Sequence, residues 1–460
     1  MSTGKEKKTS PGHLSLMSIC QMSNIRRFIF FRVLFNARFY YPVFTILFLD
    51  YGLSLEQFAL LNTVWAVTIV LAEVPSGALA DLLGRKQLLV MTSMLMVLEM
   101  ALIAFVPLGY PGWIFAAFLA NRVISGLAEA MASGADEALA YDTLAALGLE
   151  KQWPRVLEVQ MKAQNLGYIF AMTLGAAVYD PGLVSRIWGW FGGGEVPQEL
   201  TMRFPLFLTL IFACLALLTT LQLEEPETGR VQESRIGVWG LTRQTLHAGR
   251  WIVHTPLALA VILFGMTFDH TLRMIVTLTS KYYRLIGLPE ASFGLLGSLV
   301  AVVGLFVPQL ARWMSERFSP GKNVLILSLT MIATLFFLGL FIPYLGIVPM
   351  VVVFVGLMLT SFFTSHYLNE LAASHQRATV LSFKGMAFNA AYGGIGVFFA
   401  GLVQHFRAEQ ASAHSDWGEG GLEDMAFKAS MGCLPWYLII GLVIVSGICW
   451  WQIKRPRKAA

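Results

Sequence analysis

Twelve long apolar runs constrain the fold of this chain more than any other feature. In lipid, only helices and closed barrels satisfy their own backbone hydrogen bonds, and a helix of about 20 residues crosses the hydrocarbon. The runs have the length of helices rather than of barrel strands. They predict an all-α membrane protein with twelve transmembrane helices, called spans 1 to 12 below. The predicted spans are residues 27–50, 55–80, 86–108, 112–138, 158–179, 203–222, 256–280, 290–312, 322–344, 347–371, 378–404 and 434–453.

The spans fall into two groups of six, with a longer polar stretch between them. This spacing predicts two six-helix bundles joined by a cytoplasmic linker, with a short cytoplasmic tail at each end. The predicted units are an N-terminal tail 1–26, a first bundle 27–222, a linker 223–255, a second bundle 256–453 and a C-terminal tail 454–460.

Composition supports a membrane protein. Hydrophobic residues make up 56% of the chain and charged residues 13%, and a soluble domain would leave much of that apolar surface in contact with water. The expected partner is therefore the lipid bilayer. The basic residues are not clustered on one soluble surface, so no nucleic-acid partner is expected. The four cysteines form no C-x-x-C pair, which argues against a disulfide or a metal site.

The distribution of lysine and arginine predicts the orientation. Cytoplasmic loops of membrane proteins are rich in these residues. With both termini in the cytoplasm, most of the 33 lysines and arginines lie on the cytoplasmic side and a few lie within spans. We predict an integral protein of the inner (plasma) membrane with both termini cytoplasmic. The opposite side holds only Arg186, Arg203, Lys281, Arg284, Arg407 and Lys428.

The connection between spans 2 and 3 packs an acid, two glycines and two cations into a short segment. It reads VPSGALADLLGRK over residues 74–86 and resembles the loop signature of the major facilitator superfamily, G-x-L-a-D-x-x-G-R-K. The resemblance implies a monomeric carrier whose two six-helix bundles rock about a central site. The gating motif that it implies consists of Gly77, Asp81, Gly84, Arg85 and Lys86, with Asp136 and Glu137 near the end of span 4 as neighbours.

The same resemblance implies a partner for the motif. Asp81 is expected to face the start of span 11, near residues 378–381, where the helix dipole favours an anion. Such contacts hold the cytoplasmic gate closed when the cavity faces outward. Residues 308–317, between spans 8 and 9, are a weakened copy of the motif, which is consistent with two repeated halves. The alternative is a loop whose charges only anchor it at the lipid headgroups.

Polar and ionisable side chains within the spans are concentrated in spans 1, 4, 7 and 10. Such groups are costly in lipid unless they are paired or hydrated, so each is a candidate for function. In the superfamily these four spans line the central cavity, and the arginines among them favour an anionic or zwitterionic solute. The predicted substrate-binding residues are Asn36, Arg38, Tyr41, Arg122, Asp269, His270, Arg273, His366 and Asn369.

Two features of the spans leave alternatives open. Glu99 lies in span 3, which is expected to face lipid, and both a structural and a transport role fit it. His270 and His366 belong to a residue type that relays protons or binds metals. Because no second metal-type ligand lies at helical spacing and Arg273 repels cations, we interpret them as cavity lining and expect no metal site.

Span 4 carries the residues expected to couple transport to protons. Arg122, Glu129 and Asp136 are spaced by seven residues, which places them on one helix face, about 10 Å apart along the axis. Residues 122–126 also resemble the R-x-x-x-G pattern of proton-coupled members. The predicted coupling residues are therefore Glu129, Arg122, Asp136 and, in the second bundle, Asp269, with Glu129 preferred. The alternative is that Arg122 only neutralises Glu129 so that both can be buried.

These features favour a secondary transporter that moves a small solute by alternating access. Symport, antiport and uniport, in either direction, are compatible with the sequence. No catalytic triad, phosphate-binding loop or metal cluster is present in the sequence, so neither an enzyme nor a cofactor is expected. One alternative is a drug/proton antiporter for amphiphilic compounds, which Phe39, Tyr40 and Tyr41 suit. Drug–proton antiporters of the superfamily that this chain resembles usually carry a Gly-Pro pair in span 5, and its absence here disfavours this alternative. The other is a non-transporting receptor or scaffold.

Overall fold

The computed structural model describes most of the chain, and all regular secondary structure in the described part is helical. The described residues are 22–225, 249–372, 377–413 and 418–454. Their side chains are described except at 77–78, 80–82, 377–378 and 453–454. Most of the predicted linker and of both predicted tails lies outside these ranges.

The first bundle contains spans 1 to 6, together with short helices that join them. Span 1 consists of two helices, Ser23–Asn36 and Phe44–Asp50, with a 3₁₀ turn at Tyr41–Val43. The other spans are Leu55–Leu83, Arg85–Ala104, Pro111–Ala132, Trp153–Tyr179 and Phe204–Leu221. The connecting helices are Ala135–Ala145, Glu150–Gln152 (3₁₀), Pro181–Gly189 and Gln198–Thr201.

The second bundle contains spans 7 to 12. Span 7 consists of Pro256–Thr277 followed by Thr279–Leu285, and span 8 of Ala291–Gly304 followed by Val307–Arg317. The remaining four spans are Pro320–Leu338, Ile347–Leu371, Arg377–Ala413 and Glu419–Lys454.

Ten helices in the described part are long and apolar enough to cross a membrane. The two predicted spans not among them are spans 1 and 5. Span 1 is broken into short pieces. Span 5 begins earlier than predicted, at Trp153, and its first half carries Arg155, Glu158 and Lys162, which lower its hydropathy. Two of the twelve spans therefore lack the length or the hydropathy of an ordinary transmembrane helix. Span 1 has a broken backbone, and span 5 has charged residues in its first half.

The two bundles meet mainly along two pairs of spans, span 2 with span 11 and span 5 with span 8. In the second pair the backbones approach closely, because a methyl group on Gly294 would overlap the carbonyl oxygen of Met172. We call the end of the molecule that carries the loop at Gly84 the motif end. The opposite end, where Asp50 and Arg284 lie, is the distal end.

Span 1 breaks between Asn36 and Tyr41. Pro42 has no N–H to donate to the carbonyl of Arg38, four residues earlier, and its ring collides with that carbonyl in a regular helix. The backbone N–H of Phe39 donates instead to the Thr209 hydroxyl of span 6 at 3.1 Å. Irregular backbone at membrane depth is tolerated where protein or a hydrated cavity surrounds it.

Span 4 ends earlier than predicted, and this corrects the placement of Asp136. The helix stops at Ala132, Ser133 is non-helical, and Gly134 takes a left-handed conformation with φ of 76°. A new helix, Ala135–Ala145, begins after this break. Asp136 therefore does not continue the helix face of Arg122 and Glu129, because seven-residue spacing places side chains in register only along an unbroken helix.

Candidate functional site

A cavity of about 320 Å³ lies between the two bundles. Spans 1, 2, 4, 5, 7, 8, 10 and 11 contribute to its wall. The predicted substrate-binding residues on this wall are Arg38, Tyr41, Arg122 and Arg273, and Glu129 lies among them. Much of the remaining wall is aromatic, with Tyr40, Phe44, Trp65, Tyr168, Tyr283, Phe293, Phe354 and Tyr392. The cavity thus combines cationic groups with flat apolar surfaces.

Arg38 brings a guanidinium whose charge is already paired. It lies in the broken segment of span 1, where its Nη1 donates to the carboxylate of Glu99 in span 3 and its Nε donates to the Phe35 carbonyl oxygen at 3.1 Å. The side chains of Arg38 and Glu99 are 4% and 0% exposed. Removing one partner of such a buried pair leaves an uncompensated charge and costs several kcal/mol, about 3–5 in general.

Arg122 has no carboxylate partner among the described residues. Its Nε and Nη2 donate to the Asn121 amide oxygen at 3.0 and 2.8 Å. Its guanidinium carbon lies 5.3 Å and 5.4 Å from the ring centroids of Phe44 and Phe48. An amide oxygen and aromatic faces stabilise a guanidinium without cancelling its charge. Arg122 therefore presents a positive charge at the cavity wall.

Arg273 of span 7 is neutralised by a residue one turn earlier in the same helix. Its Nε donates to the Asp269 carboxylate at 3.1 Å, and its Nη1 donates to the Asn389 amide oxygen of span 11 at 2.8 Å. The guanidinium carbon also lies 4.8 Å from the ring centroid of Tyr392. Asp269 does not line the cavity itself, so it acts on the cavity through Arg273.

Glu129 lies on the same wall, seven residues after Arg122. Its side chain is exposed to the cavity, and within the described residues it makes no hydrogen bond or ion pair. The predicted contact with Arg122 is not formed in this conformation, since Arg122 bonds to Asn121 instead. The cavity wall therefore carries one guanidinium and one carboxyl that no ion pair neutralises.

A comparison with protein families identifies this arrangement. The model of the family described as Major Facilitator Superfamily matches residues 28–401. The chain belongs to the major facilitator superfamily. This assignment confirms the predicted fold of twelve transmembrane helices in two six-helix bundles, and the protein is an integral membrane transporter rather than an enzyme.

Three matches, each distant in sequence, illustrate the similarity to individual proteins. The chain is 22% identical over 427 residues to the Quinolone resistance protein NorA of Staphylococcus aureus, across 91% of this chain and 92% of that protein. Its fold matches the nucleoside transporter NupG with a TM-score of 0.67, at 14% identity, over 96% of this chain and all of the other. It also matches a bacterial homologue of the human lysosomal transporter Spinster, with a TM-score of 0.68, at 15% identity, over 97% of this chain and 100% of that one.

Five of the predicted substrate-binding residues lie off the cavity wall: Asn36, Asp269, His270, His366 and Asn369. The amide nitrogen of Asn36 donates to the Arg32 carbonyl oxygen at 2.8 Å, at the end of the first helix of span 1. His366 and Asn369 lie in the last turns of span 10, which ends at Leu371. There, His366 lies 3.3 Å from the Glu370 carboxylate. His366 and Asn369 therefore belong to the motif end of this superfamily fold rather than to its centre.

His270 lies on a different face of span 7 from Arg273. Its Nδ1 lies 2.5 Å from the Met266 carbonyl oxygen, and its Nε2 lies 2.9 Å from the Tyr437 hydroxyl of span 12. It lines a separate crevice of about 530 Å³ among spans 7, 11 and 12. Both ring nitrogens are thus occupied by hydrogen bonds away from the central cavity.

At the motif end, the superfamily signature is held by contacts within the first bundle and with the start of the linker. Gly84 takes a φ of 96°, which favours glycine, and the Glu225 carboxylate caps the following helix by accepting from the N–H groups of Arg85 and Lys86 at 3.1 and 2.8 Å. Arg85 also forms an ion pair with Asp142 and donates to the Ala138 carbonyl oxygen. The side chains at Gly77 and Asp81 lie outside the described part.

Asp136 and Glu137 do not reach Arg85 as predicted. They pair with Arg32 of span 1, at 2.9 Å and 3.4 Å. The reason is the break at Gly134, which turns these acids toward span 1 and leaves Asp142, two turns later, to meet Arg85. Asp136 is buried, and its ion pair with Arg32 joins the short helix after span 4 to span 1.

At the distal end, the two bundles are joined by a charged cluster that the sequence analysis did not identify. Asp50, at the end of span 1, accepts two hydrogen bonds of 2.7 Å from Arg284 in the second bundle. Arg284 also pairs with Glu290 at 2.5 Å, and Tyr179 donates to Asp50. The signal that could have found this cluster is Arg284 itself, one of the few basic residues on the side that the positive-inside rule leaves poor in charge.

Other links between the bundles also lie in the distal half of the molecule. The backbone N–H of Thr45 donates to the Ser280 hydroxyl at 2.9 Å, and the Thr173 and Ser298 hydroxyls lie 2.9 Å apart. The N–H of Ala291 donates to the Asp180 carboxylate at 3.0 Å. Within the described residues, no hydrogen bond or ion pair joins the bundles at the motif end. In this conformation, the hydrogen bonds and ion pairs that join the two bundles of the described part therefore lie in its distal half.

Proposed function

We propose that this transporter moves a small anionic or zwitterionic solute across the inner membrane by alternating access, with coupling to protons. The observation that carries this proposal is the unneutralised charge of Arg122 in the cavity wall. The other two cavity arginines, Arg38 and Arg273, already have the carboxylates of Glu99 and Asp269. A solute carboxylate or phosphate would supply the missing partner through two parallel N–H···O bonds.

The distal contacts support a cavity that is open toward the cytoplasm in this conformation. The positive-inside bias favours a cytoplasmic motif end, so a molecule fastened at its distal end has a cavity accessible from the cytoplasm. Transport requires the Asp50–Arg284 contact to open and the motif end to close. The span pairs 2/11 and 5/8 are the surfaces about which the bundles rock. One chain encloses the cavity, which supports a monomeric carrier.

Glu129 is the proposed proton carrier. It is open to the cavity and has no partner among the described residues, so cavity water can protonate and deprotonate it. When the bundles close around it, the ionised form loses water and survives only if a cation such as Arg122 meets it. Because water and Arg122 replace each other around Glu129, its carboxyl can take up a proton at one face of the membrane and release it at the other.

The deciding experiment uses the purified protein in proteoliposomes. Uptake of amino acids, carboxylates, phosphate esters, sugars and nucleosides is measured with and without a pH gradient. We expect a carboxylate-bearing or phosphate-bearing class to accumulate. We also expect Arg122→Ala to abolish uptake, and Arg122→Lys to retain about a tenth of it, because lysine lacks the planar fork of arginine. Arg312→Ala, at an exposed position of the second helix of span 8, is the matched control and keeps the original rate.

Glu129→Gln tests the coupling separately. Solute exchange between the two sides should survive in this variant, whereas accumulation driven by a pH gradient should disappear, because glutamine cannot carry a proton. Glu158→Gln, at a surface carboxyl of span 5, is the control. Accumulation by Glu129→Gln driven by a proton gradient alone would place coupling on another group, with Asp269 the next candidate.

A second candidate function is drug/proton antiport. The relationship to a quinolone resistance protein and the aromatic wall of the cavity favour it, because flat amphiphiles stack on aromatic rings. The same proteoliposomes, loaded with a quinolone, distinguish the two functions. Export of the quinolone together with indifference to anionic solutes would replace the primary proposal. A receptor or scaffold would transport neither.

A further inference from the structure

Glu99 is an acid in an unexpected place. It lies in span 3, outside the four polar spans, and its side chain is 0% exposed. One carboxylate oxygen bonds to Arg38, and the other, Oε2, is buried and has no hydrogen-bond partner among the described residues. A buried carboxylate is stable in its charged form only while a cation and hydrogen bonds compensate for the lost water. Arg38 is the cation that supplies this compensation.

Arg38 stands between Glu99 and the cavity. It lies in the broken segment of span 1 and also lines the cavity wall, so the guanidinium has the acid on one side and the solute space on the other. A guanidinium has five N–H donors, of which Nε and Nη1 are used by Phe35 and Glu99. An anionic solute in the cavity can therefore compete with Glu99 for the same group.

Asn121 links this pair to the unneutralised arginine. Its amide nitrogen donates to the Glu99 backbone carbonyl at 2.9 Å, while its amide oxygen accepts from Arg122. The charged and titratable groups that interact electrostatically with Glu99 include Arg38, Tyr40 and Glu129. Of these, only Arg38 forms an ion pair with it.

We propose that Glu99 is a second proton site, which is filled when an anionic solute takes Arg38 away from it. The solute anion binds the Arg38 guanidinium, the Arg38–Glu99 ion pair breaks, and Glu99 takes up one proton from a hydronium ion that reaches it through the cavity, which leaves water. Each solute charge that enters is balanced by one proton, so the number of charges in the site stays constant. This proposal rests on the proposed anionic or zwitterionic solute, and it does not depend on Glu129.

The first test needs no solute. Infrared spectroscopy of the purified protein at pH 7 detects the C=O stretch of a protonated carboxyl group. We expect Arg38→Gln, which leaves Glu99 without its cation, to show a protonated carboxyl band that is absent from the original protein and from Arg38→Gln/Glu99→Gln. The double variant replaces the ion pair by two neutral amides, so a folded double variant confirms that the comparison is made on intact protein. Lack of the band in folded Arg38→Gln would overturn the proposal.

The second test adds benzoate as a probe, because its carboxylate matches a guanidinium and its ring matches the aromatic wall. Saturating benzoate should produce the same band in the original protein and in Glu129→Gln, but not in Glu99→Gln. Benzoate should also bind Glu99→Gln several-fold more tightly, because the competitor for Arg38 is gone. Binding that produces no band would overturn the role of Glu99. If instead no carboxylate binds, the anionic solute of the proposed function is wrong, whatever the Arg38→Gln spectrum shows.

Discussion

The two ends of this transporter are held together differently. At the distal end, Asp50 and Arg284 join one bundle to the other, with Glu290 and Tyr179 packed around them. At the motif end, the ion pairs of Arg85 and its neighbours stay within the first bundle. The distal contacts therefore depend on how the bundles are tilted, whereas the described motif-end contacts move with one bundle as a unit.

The distal cluster and the motif-end pairs both consist of acids and arginines, but they differ in which tilt of the bundles they stabilise. Hydrogen bonds to charged groups contribute about 1.5–3 kcal/mol each, so the distal cluster stabilises one tilt of the bundles by several kcal/mol. The described motif-end pairs shape the loop at Gly84 and stabilise both tilts to a similar extent. Contacts of that loop with span 11 in the other conformation would have to offset the loss of the distal cluster.

The largest expected effect comes from breaking the distal cluster. Arg284→Ala leaves Asp50 and Glu290 without their cation and removes the contact between the bundles, so transport should fall at least about tenfold. The distal end should also open. Val276→Cys, in a protein whose four native cysteines are replaced by serine, reports this opening through labelling by a membrane-impermeant maleimide added from the distal side. Its labelling should rise several-fold.

The control for Arg284→Ala is Arg186→Ala, which removes an exposed arginine at the same end and should change neither measurement. Arg284→Gln/Asp50→Asn removes the ion pair while leaving fewer unpaired charges, and should open the distal end in the same way. Unchanged labelling in both distal-cluster variants would mean that the cluster does not hold the bundles together.

Substitutions at the motif end should change the distal labelling in the opposite direction, by lowering it. Arg85→Ala removes the pair with Asp142, and Asp81→Asn removes the acid of the signature. Both should leave folding intact, reduce transport several-fold and lower the distal labelling of Val276→Cys, because a loop without its arginine pair or its acid makes weaker contacts with span 11 in the other conformation. Lys151→Ala, at an exposed motif-end lysine, is the control. A rise in distal labelling would contradict the assignment of the two ends.

The smallest expected effect comes from Asp180→Asn. This carboxylate caps its own helix through the Leu183 N–H at 3.0 Å and accepts across the interface from the Ala291 N–H. Asparagine keeps one acceptor oxygen and loses the charge, at a cost of about 1 kcal/mol. Distal labelling should rise about two- to fivefold. Glu195→Gln, at an exposed acid of the same end, should leave it unchanged.

The number of spans and their grouping could be predicted because a run of 20 apolar residues has few alternatives to a transmembrane helix. The positions of Arg38, Arg122 and Arg273 on the cavity wall follow from the same logic, since charges within spans face protein or water. His270 shows the limit of this reasoning. It shares span 7 with Arg273, yet a different face of the helix carries it to Tyr437 and away from the cavity.

The breaks in spans 1 and 4 were harder to predict. Pro42 and Gly134 were visible in the sequence, but periodicity arguments assume an unbroken helix, and that assumption moved Asp136 onto the wrong face. The ion pairs were harder still. Arg38 and Glu99 are 61 residues apart and Asp50 and Arg284 are 234 apart, and only the packing of the spans brings such residues together.

The close approach of Gly294 to Met172 has a consequence for the speed of the carrier. At Gly294 the two bundles touch backbone to backbone, so no side chain at that position stands between the two surfaces when they move past each other. A methyl group at position 294 should slow the movement of one bundle past the other. Overpacking of this kind costs about 1–3 kcal/mol, and the penalty would be greatest in whichever tilt presses the surfaces together. Gly294→Ala should therefore slow transport without changing any charge of the carrier.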